Sequence, residues 1–540
     1  MDYTKHFSAK KTPQTQAIPG KKMIKNAAGG FGFKVSPMHQ LERFLILGTE
    51  GGSYYAGEHE MTIDNATNLV ATIKNEGVRV VDKILEISDS GRAPKNNAAL
   101  FALAVCTSPE IADVETRRAA FKALPKIARI STHLFQFIDY MKHFRGFGKL
   151  AQQGVQDWYQ LKDAKQLEFQ MVKYRQRLGW THNDVLRLAK PVPISHEHDQ
   201  LYEFAKNGVI ESEHQFNLIE GFIRIQQAET VKEAVKLISD FRLPMETVPT
   251  QFKKDPAIWE ALLPQLPITA TIRNLRNMAK SGFLTQFSDA SKTVADRIAS
   301  PEGIRKGRVH PIQFLNAILN YPIGKVRLVG SAFGNIGHAV DSEFPVCTNV
   351  TEALNEGFHL GFGNVTPSNK NTMLALDISG SMGWNWAIGM KGITPAEASA
   401  AMALITVNVE PNHMIGVFEG TFKPFNKIKK GMQVDAAVKA LKGLPFGGTD
   451  LASPIYWALA NKVPVDMFQC YTDNETWAGS IHPSQALDNF CVKMGRPAKF
   501  ASVAMTATEN SVADPNNPQM LDIIGFDTAT PEILSRFAEM

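Results

Sequence analysis

Residues 376–383 read LDISGSMG, with an aspartate and two serines at alternate positions behind the apolar run Met373 to Leu376. At the carboxyl end of a buried strand, such a run can turn three hard oxygens, those of Asp377, Ser379 and Ser381, toward one point. The chain leaves strand geometry there, and Gly380 and Gly383 permit the turn. Oxygen donors of mixed charge suit a divalent cation, Mg²⁺ first, with Mn²⁺ or Ca²⁺ as alternatives. One strand end cannot complete the shell. Two later ones offer the rest: FGGTD with Thr449, whose loop Gly447 and Gly448 allow to come close, and YTDNET with Asp473. Asp-x-Ser-x-Ser alone is a weak signal, since both residues are common turn formers. The five positions together, spread over about a hundred residues inside a matching alternation of strands and helices, are specific.

Catalytic readings of the same residues fail on their surroundings. Ser379 to Gly383 is not a G-x-S-x-G elbow, and no histidine follows it in a recognisable order. The chain has neither G-x-x-x-x-G-K-[ST] nor H-E-x-x-H. A metal with few charges and no base nearby is better suited to accepting a partner's carboxylate than to activating water. The chain is therefore expected not to be an enzyme.

The elements that must position these oxygens begin near residue 366. Apolar runs of strand type (372–377, 414–420, 465–473, 498–505) alternate with helical stretches near 394–408, 434–442, 451–460, 483–494 and 530–538. That alternation predicts an α/β, doubly wound, Rossmann-like domain over 366–540, whose ligands sit at the carboxyl ends of its strands. Residues 37–365 instead show helical spacing, as in Val80, Val81, Ile84 and Leu85, punctuated by turn signals such as Thr107-Ser108-Pro109. Stacked antiparallel helix pairs follow, an α-helical repeat array of HEAT-like type. Residues 1–36, ending in GGFGF, read as a flexible arm.

Cys106, Cys347, Cys470 and Cys491 are too far apart for a C-x-x-C pair and suggest a reducing compartment. With no apolar leader and no membrane-length apolar window, the expectation is a cytoplasmic protein, read as a monomer. From residue 371 onward 12 basic residues face 16 acidic ones, while 46 face 37 before it. The first part is thus the one suited to a polyanion.

Within that part, MVKYRQRLGWTHNDVLRLAKP (171–191) places Lys173, Arg175 and Arg177 before a turn at Gly179, and Trp180, His182, Arg187 and Lys190 after it. Cations interleaved with a flat ring are what RNA binding requires; a solvated helix face with Trp180 in the core would carry the same pattern. Arg273 and Arg276 share a helix face in TIRNLRNMAK, and Arg308 stands in IRKGRVHP. The run SHEHD, with His196, His198 and Asp199, lacks further ligands at zinc spacing and reads as a loop.

The five oxygen positions, in their order, resemble the metal-ion-dependent adhesion site of von Willebrand factor A domains. Across the chain, RFLILGTEGGSYY (43–55), RAAFKALPKIARISTHLFQFI (118–138), KYRQRLGWTHNDVLRL (173–188), LPITATIRNLRNM (266–278) and YTDNETWAGSIHPSQAL (471–487) are similar, in colinear order, to the Ro autoantigen family of TROVE-module proteins. The resemblance implies a ring of helical repeats followed by a von Willebrand A domain. It further implies binding of small noncoding Y-like RNA and of the single-stranded 3′ ends of misfolded RNA, in RNA quality control and stress response. An exoribonuclease or another protein would be a further partner, reached through the metal. Lys173, Arg177 and Arg187 match basic family positions on the Y-RNA face, and Trp180 and His182 belong to the same motif. Where family members often carry histidine after LRLS, this chain has Lys190 after LRLA, which implies retained binding with altered selectivity. A rival reading is a metal-dependent protein-interaction scaffold in which RNA binding is secondary.

Overall fold

Capping chemistry and apolar spacing account for the helices of residues 67–307. In the computed structural model Thr181 and Asp184 form a reciprocal capping box that starts the helix His182–Ala189, and Asp163 with Gln166 does the same for Ala164–Lys173. The structure describes residues 11–47, 67–93, 95–208, 210, 216–307, 309–324, 327–329, 336–338, 343–363, 366–384, 393–441, 444, 447–505, 510–524 and 530–540. Contacts divide the chain into two units. One comprises residues 66–307 and 343–353; the other comprises 1–65, 308–342 and 354–540, so that both ends of the chain share a unit.

In the first part of the helical unit helices pack on their second neighbours along the chain, while from Asn217–Gln227 onward they pack on their immediate neighbours. Thr67–Ser90, Val114–Ile127, Lys149–Gln160 and His182–Ala189 form one row, and Asn97–Val105 packs on Ser131–Met141 in another. The rows close tightly. A Cβ on Gly154 would lie 2.6 Å from Cδ1 of Phe121, so glycine sets the approach of the helices Lys149–Gln160 and Val114–Ile127. Between Lys173 and His182 the chain makes a short antiparallel pair, Gln176–Arg177 with Trp180–Thr181. Its turn places Leu178 and Gly179 at φ +53° and +80°. The SHEHD run is not a loop: Ser195 caps the helix His196–Asn207, whose start it forms.

In the other unit six strands lie in the order Met520–Ile524, Lys499–Ala504, Met467–Thr472, Thr372–Asp377, His413–Phe418 and Phe422–Pro424. All pairs are parallel except the last, an antiparallel edge. The strands Thr372–Asp377 and Met467–Thr472 are buried along their whole length, as a sheet covered on both faces requires. From Thr372–Asp377 the chain proceeds to one side of the sheet, and from Met467–Thr472 to the other. Their shared ends are therefore the switch point at which such sheets open a crevice. Among the described residues no helix is long and apolar enough to cross a membrane.

The arm expected over 1–36 needs correction for its described residues. Met23–Lys25 pairs with Phe31–Lys34, which pairs on its other side with Asn510–Ser511. Gln14 is fully buried: its Nε2 donates to Oδ1 of Asp450 (2.7 Å) and to the carbonyl of Ile481 (2.9 Å), and its Oε1 accepts from Thr476 Oγ1 and the Gly479 amide. Asn26 Nδ2 donates to the Thr476 carbonyl at 2.8 Å. A segment that supplies hydrogen bonds to so many buried groups is part of the domain. Residues 1–10 lie outside the described residues. Gln14→Ala should cost about 2–4 kcal/mol in chemical denaturation, because it strands several buried partners at once, whereas Gln16→Ala should stay within about 0.5 kcal/mol. Equal midpoints for the two variants would contradict the docked segment.

Candidate functional site

The register brings the two acids together. Asp377 closes its strand opposite Phe418 on one side, and on the other side Thr472, which precedes Asp473, donates its hydroxyl to Asp377 Oδ2 at 2.8 Å. Asp377 Oδ1 accepts from the Ser379 amide (2.8 Å), and the Ser379 and Ser381 hydroxyls stand 3.0 Å apart. Ser381 in turn bonds the Asp473 carboxyl, whose Oδ1 also accepts from the Glu475 amide at 3.1 Å. Asn474, at φ +67°, turns the chain directly after Asp473. Four of the five expected oxygens are thus linked side chain to side chain. Thr449 joins them through its backbone: its carbonyl accepts from the amides of Trp477 and Ala478, at 3.1 and 3.0 Å, on the loop that leaves Asp473.

All five residues are buried. Burial raises the Asp377 and Asp473 carboxyls above their ordinary range, and for Asp377 the nearby charge of Asp473 adds to it. Two buried carboxyls that repel, with the hydroxyls of Ser379, Ser381 and Thr472 around them, make a donor set that fits a hard divalent cation. Such an ion would supply the charge that lets both acids ionise. Among the described residues no cluster of three or more His, Cys, Asp and Glu side chains gathers, so the hydroxyls are integral to this set. Behind it, Asp450 is pushed to about 7 by burial, against the hydrogen bonds from the Ala452 amide and Gln14. Gln14 therefore ties the loop carrying Thr449 to the loop carrying Asp473. Thr472 sits beside Asp473 in the sequence and could have been picked out. Nothing in the sequence marks Gln14.

The basic candidates spread over one region of the helical unit. Arg175, Arg177, Arg187, Lys190 and Arg273 are exposed, and Lys173, Trp180 and Arg276 are half-buried. The Lys173 ammonium stands 5.2 and 5.3 Å from the Phe169 and Tyr174 rings, and the Arg175 guanidinium 4.4 Å over Phe222. Trp180 is anchored by its Nε1, which donates to Asp139 at 3.2 Å, with the Lys142 ammonium 6.0 Å from its ring. Lys190 ends its helix in the left-handed region, φ +51°.

His182 does not belong to this face. It is buried, hydrogen-bonded to the Tyr159 hydroxyl at 2.9 Å, edge-on to Phe135 at 5.0 Å, and held neutral at about 4 chiefly by burial. It is a core residue, and its expected contact with RNA is withdrawn. Arg308 lies outside the described residues. In SHEHD, His198 is buried against Ser195 and the Lys162 carbonyl while His196 and Asp199 face solvent, so these residues form no common ligand set.

Comparison with known proteins adds to this geometry. Residues 371–538 match the family model of the Ro60 vWA domain, and residues 24–326 match that of the TROVE domain. The chain is 36% identical over 531 residues to the RNA-binding protein RO60 of Deinococcus radiodurans, covering 97% of each. It is 31% identical over 594 residues to the RNA-binding protein RO60 of Caenorhabditis elegans, covering 95% of this chain and 90% of that one. The crystal structure of the Deinococcus radiodurans RO (RSR) protein superposes with a TM-score of 0.71 at 36% identity, over 93% of this chain and 99% of that one.

The raised carboxyls fix the sign of a pH dependence. A carboxyl whose folded pKa lies above its unfolded value binds more protons folded than unfolded, so stability falls as pH rises through the interval between the two. In metal-free protein the thermal midpoint should drop from about pH 4 toward neutrality, and Mg²⁺ or Mn²⁺ should restore it at neutral pH. Asp377→Asn should remove its own share of the drop, leaving that of Asp450, and should abolish the cation's effect. A midpoint that climbs over this interval and ignores cations would contradict the site.

Proposed function

This chain belongs to the Ro60 family, a TROVE domain followed by a Ro60 vWA domain, and from that membership we propose that it binds RNA without turning it over. The substrates of this reading are small noncoding Y-like RNAs and the single-stranded 3′ ends of misfolded RNA, and its role is RNA quality control under stress.

The observation that carries the proposal is a set of uncompensated cations. Among the described residues, Lys173, Arg175, Arg177, Arg187 and Lys190 form no ion pair, although neighbouring surface cations do: Lys206 with Glu203, Arg224 with Glu220, and Lys142 with Asp139. Ordinary solvated helix faces pair their charges at i,i+3 and i,i+4, as those three do. Cations clustered within eighteen positions, 173–190, and outside any ion pair favour an external polyanion, with Asp184 facing Arg187 as the nearest acid of the run. Lys190 in place of the family's histidine is a point charge that can still meet a phosphate.

In the other unit, Asp377, Ser379, Ser381, Thr449 and Asp473 would hold a divalent cation. Bound there, it would offer an open position to a carboxylate from a protein partner, an exoribonuclease among the candidates. The scaffold reading draws its support from this donor set, and the two roles are compatible on one chain.

Charge reversal separates them. The triple variant Lys173→Glu, Arg175→Glu, Arg177→Glu should lower affinity for a hairpin RNA with a 3′ single-stranded tail by about two orders of magnitude, and flatten the plot of log affinity against log salt by about 2–3. Cation binding at Asp377 should be untouched. Wild-type protein should bind the tailed hairpin more tightly than a blunt duplex. Filter binding that finds the triple variant equal to wild type in affinity and salt slope would overturn the RNA-binding face.

A further inference from the structure

The loop between the helices Ile268–Lys280 and Asp289–Ile298 reads SGFLTQFS. Its first two apolar residues turn inward: Phe283 and Leu284 are buried, and their amides donate to the Met278 carbonyl at 3.1 and 3.2 Å. Phe287 turns outward and is 83% exposed, whereas Phe169 and Trp477, the next most exposed phenylalanine and tryptophan among the described residues, reach 37%. Phe287 also lies at φ +64°, third in a turn closed by the Ser288 amide onto the Thr285 carbonyl at 3.2 Å. Glycine or asparagine suits that position, and a bulky side chain there is strained. Neither burial nor turn chemistry accounts for a phenylalanine at 287.

Both neighbours of the ring are pinned. Gln286 exchanges two hydrogen bonds with Thr348: its Oε1 accepts from the Thr348 amide, and its Nε2 donates to Thr348 Oγ1, each at 3.0 Å. Ser288 caps the next helix by accepting from the Ser291 amide at 3.1 Å. The Phe287 ring itself makes no aromatic or cation contact among the described residues.

A flat ring held out in a fixed direction calls for a partner. A protein pocket would press on the residues around the ring as well, and those are polar: Thr285, Gln286, Ser288 and Asp289, the last met by Lys292 at 3.3 Å. A nucleobase needs only the face of the ring. The helix that leads into this loop carries Arg273 exposed. Burial raises the Tyr174 hydroxyl, Glu246 adds to this, and the charge of Arg273 opposes it, which sets Arg273 within reach of the segment that carries Lys173 and Arg175. The basic region thus extends to the helix behind which Phe287 stands.

We propose that Phe287 is a stacking platform for an unpaired base of a bound RNA strand, held outward by the turn Thr285–Ser288. The proposal rests on the RNA-binding reading and adds to it a contact independent of charge.

The test titrates the full-length chain with the tailed hairpin RNA and with the same hairpin carrying abasic sites throughout its tail. Phe287→Leu, which keeps apolar bulk and loses the flat face, should bind the tailed hairpin about tenfold more weakly than wild type, with an unchanged salt slope. Phe287→Trp should bind it as tightly as wild type. On the abasic tail, wild type and Phe287→Leu should bind alike. Phe287→Gly should bind as Phe287→Leu does, and its thermal midpoint should equal or exceed that of wild type, since it relieves the turn and uncovers no core. The platform is overturned, and the RNA-binding reading stands, if Phe287→Leu keeps wild-type affinity for the tailed hairpin or if its deficit persists on the abasic tail. A lower midpoint for Phe287→Gly would make the ring a packing residue and overturn the platform likewise. If wild type binds no RNA at low salt, the reading fails and the proposal with it.

Discussion

Two carboxyls at neighbouring strand ends, buried and within reach of each other's charge, are the constraint around which the α/β unit is arranged. In a dry site at neutral pH, Asp377 and Asp473 cannot both ionise without compensation. The fold supplies part of it locally: the Ser379 amide, the Thr472 hydroxyl, the Ser381 hydroxyl and the Glu475 amide all donate to the pair. What hydrogen bonds leave over is what a cation would neutralise. The strand order makes the encounter unavoidable, because the chain leaves these two adjacent strands toward opposite sides of the sheet, which sets their carboxyl ends side by side.

Holding that arrangement draws on the far end of the chain. Gln14 spans Asp450, Thr476, Gly479 and Ile481, and so fastens the two loops that carry Thr449 and Asp473. Asn26 and the backbone near Gly30 press on the same loop, where a Cβ on Gly30 would overlap the Thr476 carbonyl. Arg43 fills a similar role further along. Its guanidinium pairs with Asp522 on the last strand; burial pushes that carboxyl up, and Arg43 together with His39 and Ser511 outweighs it, holding the group at about 2. The N-terminal residues thus belong energetically to the C-terminal domain.

The legible parts of the molecule are those written in apolar period and strand-end chemistry. Strand Thr372–Asp377 and helices near 395–409 and 483–494 follow from runs of Leu, Ala, Val and Met, and the acids follow from their place just beyond such runs. His182 was legible as well. It stands with Val185, Leu186 and Ala189 at i, i+3, i+4 and i+7, the buried stripe of its helix, and that spacing marks it as core against the attraction of its basic neighbours. The docking of residues 11–36 was not legible, since it is made by amides reaching polar partners more than four hundred positions away, with no periodicity to betray it. Strand Met520–Ile524 was missed because Asp522 breaks its apolar run, and only its pairing with Arg43 explains an acid there.

That the acid pair would hold a divalent cation is the central proposal. Calorimetric titration of Mg²⁺ and Mn²⁺ into metal-free protein, at about pH 6.5 in two buffers of different ionisation enthalpy, measures both binding and proton release. The account predicts one cation per chain with net release of protons, lost in Asp377→Asn. Absence of binding, or binding whose heat is the same in both buffers, would contradict it.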